Sequence, residues 1–381
     1  LNSNSSRQQT QASYFSDLGA KRVKIRSGPF TAPSMHENEG MAQFLERNSA
    51  KPCNDCLITW MRAGLEYANG TTANAHNGLW LHHVVQLDTG ATDVVCPKGY
   101  EDLPIAANRF FASGNERSPQ NLCLNGTSKT GYHFSEKSGI WTMIELMNQT
   151  PNPVDGYLTV EYEYVEAPFP PDFQNLTSVW LDVSGCKNSE LETKTNTTFE
   201  LDSPEPWTVP AEFDGRAVIM GGHLHDGGTR LEIMHNEKVV CESKATYGGT
   251  PSYIDPMGLK MDGMGDMGDM RMTHISDMST CVLPVVKAGD EFTIRAHYNL
   301  TAHPGMREAN GEQARVMGIG LMYFAAGDGE AQKATAQAEA TAPEEGEEEE
   351  ATSATPTQAF SSATESVGAA SPSSKVFEGR A

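Results

Sequence analysis

Apolar positions in this chain gather into short, strand-like segments bounded by polar turn residues. The segments LITWMRAGLEY (57–67), GLWLHHVVQL (78–87), GIWTMIELMN (139–148) and GYLTVEYEYV (156–165) are short and rich in β-branched and aromatic residues. Gly, Asn and Pro clusters separate them, as turns separate strands. A Pro-rich break, APFPPDFQ at 167–174, precedes a second series: SVWLDVSG, GRAVIMGGHLH, TRLEIMHNEKVV, DEFTIRAHYNL and VMGIGLMYF. Two sets of antiparallel strands joined by such a linker predict an all-β fold of two β-sandwich domains, at 52–168 and 169–326. An N-terminal extended segment, 1–51, leads into them.

Composition changes this picture at the C-terminal end. From 327 to 381 the run EEGEEEE is flanked by Ala, Thr, Ser and Pro with almost no large apolar residues. Such a segment buries too little surface to offset its chain entropy, so a disordered, acidic, Ser/Thr-rich tail is expected. The 381 residues carry 28 Lys and Arg against 50 Asp and Glu, a formal charge of −22. That balance argues against nucleic acid or an anionic membrane surface as partner. No apolar run reaches the roughly 18 residues of a membrane span, so no transmembrane segment is expected.

Compartment is read from sequons and cysteines. Asn-x-Ser/Thr begins at Asn4, Asn69, Asn125, Asn148, Asn175, Asn196 and Asn299. These candidate glycosylation sites, with a start at Leu1 in place of Met, lead us to expect a cleaved signal peptide and a secreted or cell-surface protein. Ala381, a small residue ending a Ser/Thr-rich tail, would suit a C-terminal lipid anchor. The seven cysteines are dispersed, and an oxidising destination favours disulfides. Cys241 with Cys281 is the first candidate pair and Cys96 with Cys123 the second, leaving Cys186 as the unpaired thiol. Cys53-Asn-Asp-Cys56 is read as a weak metal or redox signal.

The candidate chemistry lies in His82-His83 of LWLHHVVQL, His223-Leu-His225 of GGHLHDGG, and Met317 of ARVMGIGLMYF. Residues two apart on a strand face the same side, so His223 and His225 can converge on one metal. Neighbouring histidines face opposite sides unless the strand bends, so His82 and His83 require a distortion. Imidazole with thioether is ligand chemistry for copper cycling between Cu(I) and Cu(II). Asp226 could orient a ligand imidazole by accepting its other N–H, or could serve the turn before Gly227-Gly228.

LHHVV, GGHLHDGG and VMGIGLMYF resemble the stress up-regulated nodulin family of plants and fungi. More distantly they resemble the copper type II ascorbate-dependent monooxygenases, such as peptidylglycine alpha-hydroxylating monooxygenase. The resemblance covers roughly 52–326 and implies jelly-roll-like sandwiches, each carrying copper across a cleft. It implies that His223, His225 and Met317 form an oxygen-activating centre, and that His82 and His83 belong to an electron-supplying one. Copper, one or two ions, would be the cofactor, ascorbate the reductant, and C–H hydroxylation with O2 the reaction.

This chain departs from that pattern. A third histidine expected near GIWTMIELMNQT is replaced by Met147 and Asn148. Gly221 stands where the peptide-hydroxylating enzymes have an arginine, which argues against a glycine-extended peptide substrate. A one-residue difference in length leaves Met322 as an alternative to Met317. Met147 and His297 are additional candidate ligands, and His274, His303, His76 and His133 are further imidazoles. Met261, Met264, Met267, Met270 and Met272 recur in a Gly-rich stretch that could capture Cu(I) or could be a low-complexity insertion. The sequence therefore predicts a secreted, copper-binding, monooxygenase-like enzyme acting on a small-molecule or peptide-like substrate. The alternatives are a non-catalytic extracellular copper-binding or stress-response protein, and a cell-wall interaction protein.

Overall fold

The computed structural model describes residues 5–101, 103, 105–193, 197–211, 213, 215–255, 272–282, 285–307 and 312–326. The expected disordered tail at 327–381 and Met261, Met264, Met267 and Met270 lie outside them, as do Asn4 and Asn196. The described chain is all-β, its only helices being three-residue 3-10 turns.

Three sheets organise it. A ten-stranded sheet runs, in spatial order, through Ser6–Gln11, Lys21–Ala32, Val154–Glu166, Cys56–Glu66, Thr130–Phe134, Gln174–Asp182, Gly318–Ala326, Gly215–Leu224 and Val285–Val286; Gln120–Asn121 pairs beside Cys56–Glu66. Its strands are antiparallel except where Gln174–Asp182 meets Thr130–Phe134. A four-stranded sheet is ordered Met41–Ser49, Ile140–Asn148, Leu79–Thr92, Ala107–Gly114. A six-stranded sheet is built around Glu291–Asn299, Gly228–His235 and Lys238–Tyr247. The N-terminal segment is extended and paired: Val23 and Ile25 face the core. On the opposite face Arg22 pairs with Glu161 at 2.7 Å and Arg26 with Glu66 at 3.2 Å.

Two hydrophobic cores flank the central strands. In Gly318–Ala326, Ile319, Leu321, Tyr323 and Ala325 enter one core, while Met322 and Phe324 enter the other. In Gln174–Asp182, Leu176 and Trp180 face the first core, Val179 and Leu181 the second. Burial on both faces explains why VMGIGLMYF reads as an unbroken apolar run instead of alternating. Full burial of one such side chain contributes about 1.5–3 kcal/mol. Among the described residues no helix is long and apolar enough to cross a membrane.

The disulfides both support and correct the sequence reading. Cys241 joins Cys281 as expected, Cα to Cα 5.8 Å. Cys96 pairs with Cys186 and not with Cys123, Cα to Cα 5.7 Å. The turn after Gln174–Asp182 lies beside the 96–101 loop, where Glu101 N–H donates to the Cys186 carbonyl at 3.2 Å. Cys123 is the free thiol and is buried. Cys53 and Cys56 close on each other as a disulfide, so that pair offers no metal ligand.

Asn148 is corrected as a glycan acceptor. It is 0% exposed, and its amide donates to the carbonyls of Pro33 at 2.6 Å and Asn152 at 2.8 Å. A buried, doubly committed amide ties the strand end to neighbouring loops. Asn69, Asn125 and Asn175 are exposed and Asn299 half-buried.

Candidate metal centre

The strand Leu79–Thr92 carries both adjacent histidines, and a β-bulge lets them act together. Against Ile140–Asn148, Leu81 pairs with Leu146 and His83 with Glu145, so His82 is the extra residue. A bulge locally breaks the two-residue alternation and re-aims side chains. Both imidazoles accordingly turn to one carboxylate: His82 Nδ1 lies 2.9 Å and His83 Nδ1 2.5 Å from Glu145 Oε2. Burial opposes ionisation of Glu145, but the hydrogen bonds from His82 and His83 outweigh it and hold its carboxyl well below the usual carboxylate range.

His223 and His225 reach the same place from the other half of the chain. His223 pairs across from Ile319 near the end of Gly215–Leu224, and His225 follows two residues on. His223 Nδ1 is 3.0 Å from Glu116 Oε1, and His225 Nδ1 donates to the Arg315 carbonyl at 2.8 Å. Gly227, at φ +95°, turns the chain; a Cβ there would stand 2.3 Å from Leu300 Cδ2. Gly114 matters equally, because a Cβ on it would meet His223 Cε1 at 2.5 Å and Glu116 Oε2 at 2.6 Å.

With the Nδ1 atoms so engaged, the Nε2 atoms converge. His83 Nε2 stands 3.1 Å from His223 Nε2 and 3.1 Å from His225 Nε2. Ligand nitrogens of His82, His83 and His225 all lie within 4.8 Å of one another, and His82 Nε2 is buried without a hydrogen-bond partner. Two nitrogens held 2.0–2.1 Å from one first-row ion are roughly 2.9–3.4 Å apart, depending on its geometry. The spacing, the fixed tautomers and the carboxylate and carbonyl backing all fit a shared metal ion. The expected division into two separated centres is replaced by one cluster between the Leu79–Thr92 and Gly215–Leu224 strands.

Electrostatics favour the neutral form, the one that ligates metals, at His83 and His225. Burial and the neighbouring His82 push His83 down to about 4. Burial and the surrounding histidines push His225 well below its usual range. His223 goes the other way: burial lowers it, but the Glu116 carboxylate outweighs burial and raises it. Burial would lift Glu116, but the charge and hydrogen bond of His223 hold it at about 2.

The cavity at the cluster has a volume of about 20 Å³, above the roughly 10–15 Å³ that a single water requires. His82, His83, His223 and His225 line it with Trp80, Asn115, His274 and Met306. Met317 and Met147 are not among its lining residues. Met317 belongs to the first hydrophobic core, and Met147 pairs across from Trp80 and Met41. Met322 is in the second core. His297 sits elsewhere, 3.0 Å from both Glu200 and Glu232. Asp226 does hold an imidazole, that of His274, whose Nδ1 is 2.6 Å from Oδ2.

Sequence reasoning missed Glu145, Glu116, Asn115 and Met306. Glu145 had a signal, being the single charged residue in the apolar run GIWTMIELMN. The other three lie in segments without a motif.

The fold and the cluster thus define an all-β protein in which imidazoles from both halves of the chain converge at the spacing of metal ligands. The chain is 33% identical over 304 residues to the probable copper-dependent oxygenase M1 of Phoma sp. (strain ATCC 20986 / MF5453), a match spanning 80% of this chain and 72% of that protein. It is also 33% identical over 267 residues to the probable copper-dependent oxygenase clz3 of Cochliobolus lunatus, spanning 70% and 79%. The chain belongs to the family of these probable copper-dependent oxygenases. No family model matches it. Among solved structures, PNGase F, a glycosylasparaginase from Flavobacterium meningosepticum, aligns over 85% of this chain and 96% of its own at 10% identity. Its TM-score of 0.36 is too low to carry an argument.

Proposed function

We propose that this protein is a copper-dependent monooxygenase-like enzyme whose metal is held by His83, His223 and His225, with His82 as fourth imidazole. One observation carries the reading: Nε2 atoms from strands more than a hundred residues apart meet at 3.1 Å, each ring fixed from behind. Copper, when bound, would supply one-electron redox chemistry toward O2. The residues of the chain do the rest. Glu145 and Glu116 fix the rings of His82, His83 and His223 and offset positive charge, and Arg315 holds His225 through its carbonyl. Trp80 and Ile275 supply apolar parts of the cavity wall. Met306 brings a thioether to the cavity, the role expected of Met317.

The resemblance to type II monooxygenases supports ascorbate as reductant. Three disulfides and the exposed sequons support secretion and glycosylation. The two flanking cores support two sandwich domains that share the central strands. Measuring O2 uptake coupled to ascorbate oxidation, against the same concentration of free copper, tests the enzyme reading. Turnover above free copper that disappears when His223 and His225 are both changed to Ala is the expected result. Copper bound without turnover on any organic substrate would favour the non-catalytic alternative.

A further inference from the structure

The cavity has a second wall that the metal ligands do not explain. Trp80, 3% exposed, and Asn115, 7% exposed, both line it. The indole Nε1 of Trp80 and both amide atoms of Asn115 are buried with no hydrogen-bond partner. Buried polar groups are ordinarily satisfied, so unpartnered atoms on two residues that line one cavity call for a partner that enters it. An indole N–H can only donate, and neither it nor an amide nitrogen is a usual metal ligand.

Both groups are held in place. The Trp80 ring packs edge-on against His82 at 5.5 Å and tilted against His274 at 5.0 Å. Asn115 lies in the turn closed by Arg117 N–H to the Gly114 carbonyl at 3.3 Å, directly before Glu116. Arg117 anchors that turn by donating to the Ala73 carbonyl at 2.6 Å.

We propose that Trp80 and Asn115 form a hydrogen-bonding subsite for a carbonyl-type oxygen of the substrate, beside the imidazole cluster. The complement of two rigid donors is an acceptor. A cavity of about 20 Å³ admits only the tip of a larger molecule, and an sp2 oxygen is such a tip. Asn115 presents an acceptor as well as a donor, so a carboxamide engages both its atoms, whereas a carboxylate engages only the donors. Trp80 and Asn115 are positioning residues: they hold the substrate oxygen so that a neighbouring C–H faces the imidazoles. The inference rests on the reading of this cavity as the reaction site.

The test titrates formate and, separately, formamide into the full chain, first metal-free and then loaded with diamagnetic Cu(I). The Trp80 indole N–H resonance, assigned by its loss in Trp80→Phe, is followed by NMR. At least one probe is expected to shift it saturably, and the probe that binds distinguishes a carboxylate from a neutral carbonyl. Asn115→Ala is expected to weaken binding at least tenfold. Asn115→Asp, nearly isosteric, keeps the fold and replaces the donor with a like charge, so formate binding should be lost. An indole resonance indifferent to both probes, or unchanged affinity in both Asn115 variants, would overturn the subsite. Copper content of the same preparations reports on the metal centre alone, so failure of either reading is seen separately.

Discussion

His83 Nε2 lies 3.1 Å from His223 Nε2, although 140 residues separate them. Neither Nδ1 is free to turn inward, since Glu145 holds one and Glu116 the other. The cluster is therefore preorganised by its carboxylates.

Glu145→Ala removes the one oxygen that orients both His82 and His83. Groups that fix ligand imidazoles typically contribute 10–100-fold in metal affinity. We expect a loss of about that size in a competitive chelator titration, together with a lower Tm, because His82 and His83 lose a buried acceptor. Unaltered copper affinity would show that the rings are fixed by packing alone.

Gly114→Ala replaces no ligand, yet its methyl would overlap His223 Cε1 and Glu116 Oε2. The pair must separate or the strand must shift, so copper affinity should fall by roughly tenfold or more, as for loss of an orienting partner. Equilibrium dialysis against a copper buffer checks this. A variant that loads as tightly as the parent would mean His223 is not held where we place it.

Cys123 gives a pH prediction with a definite sign. Burial pushes its thiol up to about 11, and only the thiolate is nucleophilic, so at pH 8 roughly one molecule in a thousand is reactive. Native alkylation by iodoacetamide should be very slow at pH 8, quicken about tenfold per pH unit toward 11, and become rapid on unfolding. Labelling located by mass spectrometry should fall on Cys123 and spare Cys186.

The Cys96–Cys186 bridge spans 90 residues. Constraining a loop of that length in the unfolded chain stabilises by about 4–5 kcal/mol on the chain-entropy view. Cys186→Ser should lower Tm by several degrees and leave copper binding intact. Peptide mapping without reduction should find the 96–186 link; a 96–123 link would contradict the fold around the 96–101 loop.

Much of this was legible in the sequence, and the losses have physical reasons. Short β-branched and aromatic segments between turn clusters pointed to the all-β class, and His82, His83, His223 and His225 were all visible. Their convergence was not, because it depends on a bulge at His82 and on pairing between strands far apart in sequence. Met317 misled for a related reason. It precedes a strand buried on both faces, where a methionine fills a core, while Met306 in a loop with no pattern reaches the cavity. Asn148 read as a sequon although its amide is committed inside the fold. Local sequence cannot show which side of a loop is buried.

The central claim is that imidazoles from both halves of the chain share one metal. Copper per chain, measured by elemental analysis after reconstitution and removal of loosely bound metal, tests it in the parent and in His83→Ala. One centre predicts one copper in the parent and almost none in the variant, since His83 links His223 and His225. Two coppers in the parent, with one retained in His83→Ala, would contradict the account and restore two separate sites.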